Sequence, residues 1–307
     1  MKAAFFRRHG GPEVMDYGDV PDPVAGPGQV LVDVHAASVN GADWKVRAGS
    51  YAPVASFPYI PGRDFSGVVA ACGAGVSEFA PGDAVFGVCD VGQEAAYAEK
   101  IAIKASIVAR KPASLSHVDA AALALTGLTA IVSVEDTLQL RRGETVLIQG
   151  GAGGVAGFAI QLAKHIGARV VSTTSAANIA YVKGLGADEV IDYAAQDFAS
   201  VVPNVDAVFE TVGGDVATRS FTVVRPGGRI AFIASGAKAP PSPRPDVAAL
   251  RPAVGRDRPH LERILALVEA GAVRRPEVTL FPLDRAAEAH RISEGRHLRG
   301  KLVFKVR

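Results

Sequence analysis

Cysteine is scarce. The 307-residue chain has two, Cys72 and Cys89, which excludes a disulfide framework and suits a reducing compartment. Neither sign of charge is in excess: 33 Lys and Arg face 31 Asp and Glu, a net +2 that gives no electrostatic case for nucleic acid or an anionic membrane. The basic clusters, "FRRHG" at 6–10 and "VRRP" at 273–276, are short and read as solvated faces. Long apolar runs are missing too. Residues 145–163 carry no charge but are interrupted by glycines, and residues 120–134 fall short of the roughly 20 residues a membrane span needs, so they are expected to form a buried, Ala-rich helix. The start, "MKAAFFRRHG", has too few apolar residues before Arg7 and Arg8 for a signal-peptide core. A cytoplasmic protein without nucleic-acid or membrane partners is expected.

What is present is apolar residues, at 49%, in a chain too long for one hydrophobic core. Two domains are expected, 1–116 completed by 273–307, and 117–272. Up to about residue 110 the pattern is β-rich: "QVLVDVHAASV" (29–39) alternates partly, and "SGVVAACG" and "GDAVFGVC" are short runs between Gly, Pro and Asp. From 144 strand and helix alternate. Candidate strands are "TVLIQG" (145–150), "RVVSTT" (169–174), "EVIDY" (189–193), "VDAVFETV" (205–212) and "RIAFIAS" (229–235). Val155, Phe158, Ala159, Leu162 and Ile166 have the spacing of one helical face, and "NIAYVKGLGA" should end a helix at Gly184 or Gly186. Such βα repeats imply a parallel sheet with right-handed crossovers. The Pro-rich 237–259 segment is expected to be a surface loop, or alternatively a mobile substrate lid. "HLERILALVEAG" (260–271) is an amphipathic helix, and the closing "GKLVFKV" is a strand suited to rejoin the N-terminal β-domain. There are no internal repeats.

The stretch "GGAGGVAG" (150–157) lies between a predicted strand and a predicted helix and contains G-x-G-x-x-A as Gly151, Gly153 and Ala156. In a dinucleotide site Gly151 would allow the tight turn, Gly153 the approach of a pyrophosphate, and Ala156 close packing of helix on strand. The helix start at Gly154 and Val155 would offer its N–H groups to the phosphates. A carboxylate about 20 residues on would hold the ribose of NAD. Residues 168–187 contain no Asp or Glu, whereas Ser175, Asn178, Lys183 and Tyr193 are nearby donors. NADP(H) is therefore the expected cofactor.

The order of parts, with "SVNGADWK" (38–45), "GVVAACGAGVSEFAPGDAVFG" (67–87), "ALTGLTA" (124–130), the glycine loop, "LGADEVIDY" (185–193) and "RGKLVF" near the end, resembles the medium-chain dehydrogenase/reductase superfamily over essentially the whole chain. Within it the likeness is to the zinc-free quinone oxidoreductases and alkenal/enone reductases. The resemblance implies an α/β protein: a GroES-like β-rich catalytic domain plus a Rossmann domain with a doubly wound parallel sheet. It also implies an active-site cleft between them and a homodimer formed through the cofactor domains. In the zinc alcohol dehydrogenases a Cys stands at the place of Asn40 and Gly-His-Glu at the place of "GRD" (62–64). Neither Asn40 nor Arg63 replaces those ligands, and two cysteines cannot build the four-cysteine structural lobe. No bound metal is expected.

Without a Lewis acid the chemistry left is hydride transfer to an electrophile, the C=C bond of an α,β-unsaturated carbonyl or a quinone. By resemblance, Asn40 would donate its amide to the carbonyl oxygen and Lys45 would stabilise the enolate. The bland alternatives are a turn-forming Asn and a solvated Lys. A Tyr stands at the Lys45 position in the crystallin-like quinone reductases, so Lys45 favours enones and alkenals. Tyr51 and Tyr59 are candidates for the substrate pocket or for core packing. Thr126, Val212, Gly213 and the run Phe232, Ile233, Ala234 match segments at the nicotinamide, and Arg296 matches a 2′-phosphate contact. Asn178 departs from a Lys common in the crystallin-like relatives, which weakens the NADP argument. The alternative to an enzyme is an NADPH-binding crystallin-like or regulatory protein without significant turnover.

Overall fold

The computed structural model describes all residues except Ala52 and Pro203. They form two compact units, Met1–Leu125 with Arg256–Arg263 and Arg275–Arg307, and Thr126–Gly255 with Ile264–Arg274. Two of these borders fall inside helices, where no shift in composition marks them, and so differ by several residues from the borders expected from sequence.

The first unit opens with β1 (Lys2–Phe6) and β2 (Met15–Asp19), followed by β3 (Gln29–Ser38), α1 (Gly41–Arg47), β4 (Asp64–Cys72), β5 (Ala84–Val88), β6 (Lys100–Lys104) and β7 (Val108–Arg110). Then α2 (His117–Ile131) leads into alternating elements: β8 (Thr145–Ile148), α3 (Gly154–Ile166), β9 (Arg169–Thr174), α4 (Ile179–Gly184), β10 (Glu189–Asp192), α5 (Phe198–Val201), β11 (Val205–Glu210), α6 (Gly214–Arg219), β12 (Val224–Phe232) and β13 (Ala248–Leu250). After α7 (Arg258–Glu269) the chain ends in β14 (Val278–Pro282), α8 (Ala286–Glu294) and β15 (Lys301–Lys305).

β3 organises the first unit. Val30, Val32, Val34 and Ala36 are fully buried and alternate with half-buried neighbours, the period of a strand with one face on a core. It pairs antiparallel with β4, β6 and β15, within the order β14-β15-β3-β4-β5-β7. The chain end therefore rejoins the N-terminal β unit, as "GKLVFKV" suggests. Arg47, at the end of α1, is 1% exposed. Its guanidinium donates to Gly10 O at 3.1 Å, lies 3.1 Å from His290 Nδ1 and pairs with Glu294, which ties α1 to α8.

In the second unit six parallel strands lie in the order β10-β9-β8-β11-β12-β13, so the strand order reverses between β8 and β11. Its core includes Leu147, Val171, Ile191, Val208, Ile230 and Phe232. The expected strands are all present. The 237–259 segment is not only loop: Ala248–Leu250 forms the sheet's sixth strand, β13, in register with Arg229–Ala231. Three residues framed by prolines carry no strand periodicity, which hid it from the sequence.

The apolar helix is longer than expected. With a wider π turn over Val132–Thr137, α2 continues as a helix His117–Thr137 of 21 residues whose most apolar 18-residue window has mean hydropathy 1.6, long and apolar enough to cross a membrane. In this fold 78% of its most apolar window is buried inside the protein, as in an Ala-rich core helix.

Candidate active site

The crevice outside the carboxyl ends of β8 and β11 is where a doubly wound sheet binds ligands, and the glycine loop lines it. The tight turn is made by Gly150, at φ +71°, rather than by Gly151. Gly151 is small for another reason: a β-carbon there would come 2.3 Å from Ser172 Oγ and 3.0 Å from Val182 Cγ1. A β-carbon on Gly153 would meet only Gly150 O, at an ordinary 3.5 Å, so the protein's own packing does not require a glycine there. Gly153 is also the N-cap of α3, and no side chain caps the helix. The first-turn N–H groups, those of Gly154 and Val155 among them, lack intrahelical partners, and no side chain caps them.

β11 supplies the other wall. Thr211 Oγ1 donates to Gln149 O at 2.7 Å, and Val212 and Gly213 donate their N–H groups to Glu210 Oε1 at 2.7 Å each. Val212 is exposed, and Gly213, at φ +87°, lies against Ala234. Ile233 N–H bonds Glu210 O at 3.1 Å. Val212 and Gly213, after β11, and Ile233 and Ala234, after β12, are thus gathered at the ends of two neighbouring strands. Phe232, the last residue of β12 and opposite Glu210, stands at the same end, with its ring fully buried against Phe221. Thr126 is likewise buried, at 2% exposure, in α2. Glu210 was missed in the sequence. It is fully buried, burial raises its pKa against the two N–H groups, and Oε2 has no hydrogen-bond partner among the described residues.

At the neighbouring strand ends Asn178 Nδ2 donates to Ser175 Oγ at 3.2 Å, and Tyr193 N–H donates to Thr174 O at 3.1 Å. Ser175, Asn178 and the exposed Tyr193 therefore cluster beyond β9 and β10, and β9 ends in "STT" with no acid.

The first unit carries a separate polar network. Asn40 caps α1, and Asp43, three residues on, accepts its N–H at 2.9 Å and Tyr97 OH at 2.8 Å. Asp43 is fully buried. Burial raises its pKa to about 7 although Arg63 opposes the shift. Arg63 Nε is 3.7 Å from Asp43 Oδ1 and its Nη2 is 2.9 Å from Glu94 Oε1. The two carboxylates outweigh the burial of Arg63 and raise its pKa. The Tyr51 ring lies 4.6 Å from the Arg63 guanidinium, and Tyr59 OH bonds Glu94, so both candidate tyrosines surround this ion cluster. Burial, then Glu94, raises the Tyr59 pKa. Lys45 and Arg296 both lie over the one Trp, with Lys45 Nζ 5.5 Å and Arg296 Cζ 5.8 Å from the Trp44 ring. Arg296 thus sits in the first unit, at φ +54°.

These donors do not fit zinc. The Asn40 amide is held by Asp64 and Lys301, Arg63 is a cation, and the Cys89 thiol is buried with its pKa raised. Among the described residues no three His, Cys, Asp or Glu side chains are grouped to hold a metal ion.

An open glycine cradle at the switch point of a parallel sheet in one unit, and in the other a β-rich sheet completed by the chain's last strand, define a two-unit nucleotide-binding α/β protein. Residues 26–113 match the alcohol dehydrogenase GroES-like domain family, and residues 185–304 match the family described as zinc-binding dehydrogenase. The chain is 33% identical to 2-methylene-furan-3-one reductase of Solanum lycopersicum, over 99% of this chain and 79% of that protein. It is 31% identical, with the same coverage, to the chloroplastic NADPH-dependent alkenal/one oxidoreductase of Arabidopsis thaliana. Among solved structures, the quinone oxidoreductase from Coxiella burnetii is 35% identical with TM-score 0.92, covering 100% of this chain and 99% of that one. The Escherichia coli quinone oxidoreductase complexed with NADPH is 26% identical with TM-score 0.91, and coverage is 100% of both chains. The chain belongs to the medium-chain dehydrogenase/reductase superfamily.

Proposed function

We propose that this protein is a zinc-independent oxidoreductase that uses NADPH to reduce quinones or the C=C bond of α,β-unsaturated carbonyls. The observation that carries the reading is Gly153, an N-cap without a side chain whose smallness the fold itself does not require. The relatives that reduce such substrates support it.

NADPH supplies a hydride when bound. Gly151, Gly153, Gly154 and Val155 would hold its pyrophosphate, and Val212, Gly213, Ile233 and Ala234 its nicotinamide half. Ser175, Asn178 and Tyr193 would donate to the 2′-phosphate, which no β9 carboxylate repels. Reduction of an enone would place that hydride on the β-carbon and a proton from solvent on the α-carbon, with negative charge on the carbonyl oxygen between the two events. Asn40 and Lys45 are the groups proposed to meet that oxygen, the first by an N–H and the second by charge. Tyr51 and Tyr59 border the same network. The two-cysteine composition supports a reducing, cytoplasmic setting.

The test is NADPH oxidation, followed by absorbance, with an alkenal, a cyclic enone, benzoquinone and phenanthrenequinone. Turnover of the alkenal or enone supports Lys45 at an enolate, and quinone turnover alone withdraws that role from Lys45. NADH used as well as NADPH would sink the 2′-phosphate assignment. No turnover of any of the four, with NADPH still bound, would leave a binding protein.

A further inference from the structure

Two strand pairings deliver buried charges to the amide of Asn40. β15 runs antiparallel to β3 with Val303 opposite Ser38, and continuing that register sets Lys301 opposite Asn40. β4 pairs with β3 so that Phe65 is opposite Ala37, which sets Asp64 opposite Ser38. Lys301 is 4% exposed, and its Nζ donates to Asn40 Oδ1 and to Val39 O, each at 2.8 Å. On the other side Asn40 Nδ2 donates to Asp64 Oδ1 at 2.9 Å. Asp64 is fully buried. It accepts Ser38 Oγ at 2.8 Å on each oxygen and the Leu125 N–H at 3.2 Å.

The primary amide is therefore clamped, with a cation at its oxygen and an anion at its nitrogen. Flipping it would set NH2 against the ammonium and the carbonyl against the carboxylate, and both contacts would turn repulsive. A cation at Oδ1 also withdraws electron density from the amide and strengthens its N–H groups as donors. One of the two N–H groups is committed to Asp64. The other has only the long 3.3 Å contact to Ser38 O, the easiest of these bonds to exchange.

We infer that Lys301 and Asp64 are positioning residues that lock the Asn40 amide so that its second N–H is the one offered to the substrate carbonyl oxygen. The inference rests on the proposed reduction for its catalytic meaning, but the clamp has a readout of its own. In 15N-labelled protein the Asn40 side-chain N–H pair should lie away from the free-amide positions and exchange slowly with solvent, and Lys301→Met should move the pair towards those positions and speed exchange.

On turnover, Lys301→Met should lower kcat about tenfold or more while KM changes less. NADPH affinity by fluorescence titration should stay within about twofold. Lys301→Gln, which keeps a donor without the charge, should recover part of the loss. In a double-mutant cycle Lys301→Met should add little to Asn40→Ala, because the clamp acts only through that amide. Additive losses, an unchanged kcat in Lys301→Met, or an equal loss of NADPH affinity would overturn the inference. So would failure of both Lys301 variants to fold, which would mark the lysine as structural. If the wild type reduces none of the substrates, the proposed reduction fails, and the Asn40 resonances still decide the clamp.

Discussion

At the scale of single residues, Gly151 and Gly153 allow the fold's demand to be separated from the ligand's. Ser172 Oγ, which an alanine at Gly151 would strike, is itself bonded to Ile148 O at 2.7 Å, and Val182 and Ile160 close the space behind it. Gly151→Ala should destabilise the second unit by about 1–3 kcal/mol, as overpacking of a tight site does. Gly153 already has the extended backbone of an N-cap, φ −72° and ψ 156°, which serine adopts freely. Serine is a preferred cap, so Gly153→Ser should leave the melting temperature unchanged or slightly higher. Its hydroxyl, however, takes the N2 or N3 amide that an approaching phosphate needs. NADPH affinity should fall about tenfold, the worth of one such bond. Thermal melts paired with NADPH titrations check both variants. A Gly153→Ser protein that binds NADPH as tightly as the wild type would remove the observation on which the proposed function stands.

At the scale of elements, α1 joins the capping of a helix to the electrostatics of the first unit. The Asn40 and Asp43 spacing is local, and Asp43 accepts the Asn40 N–H at 2.9 Å. What the spacing could not show is that Asp43 is sealed among Tyr97, Arg63 and Asp64 from distant parts of the chain. Because its pKa rises from 3.8 to about 7 on folding, the native state holds a proton that the unfolded chain releases. The stability this contributes is complete below pH 4 and is lost as pH rises towards 7. Two histidines, His290 buried and His117 half-buried, act the other way. His290, lowered to about 3 by burial and then Arg47, and His117, lowered to about 4 by burial and then His35, make stability rise with pH up to their unfolded value of 6.5. Between about pH 4 and 6.5 Asp43 therefore opposes the two histidines, as do Asp64 and Glu210, whose pKa values burial also raises. Asp43→Asn keeps an oxygen for the Asn40 and Tyr97 bonds and removes the titration. Its unfolding free energy should climb more steeply across that window, by up to about 1.4 kcal/mol per pH unit. Urea melts at a series of pH values measure the difference, and parallel slopes for the two proteins would mean that Asp43 does not titrate there.

At the scale of the molecule, the legible parts are those written locally. The five strands from 145 to 235, the glycine loop and the last β-strand each carry their own periodicity or turn chemistry, and all stand where they were expected. Lys301 left only a faint mark, a charge sharing a face with Val303 in an apolar strand, and its partner at Asn40 is 261 positions away. β13 left none. Yet β13 is the sheet's edge, paired with β12 on one side and presenting unpaired backbone groups on the other. Such an edge invites another strand unless charge or proline blunts it, and Ala248–Leu250 has neither. A second copy of this chain adding its own β13 would fit the homodimer that the family resemblance suggests. Light scattering should then give twice the chain mass, and Leu250→Lys should shift the protein towards monomer while leaving NADPH affinity unchanged, since β13 lies at the far side of β12 from the β8–β11 crevice. A wild type that elutes as a monomer at all concentrations, or a Leu250→Lys dimer as tight as the wild type, would place any association elsewhere on the surface.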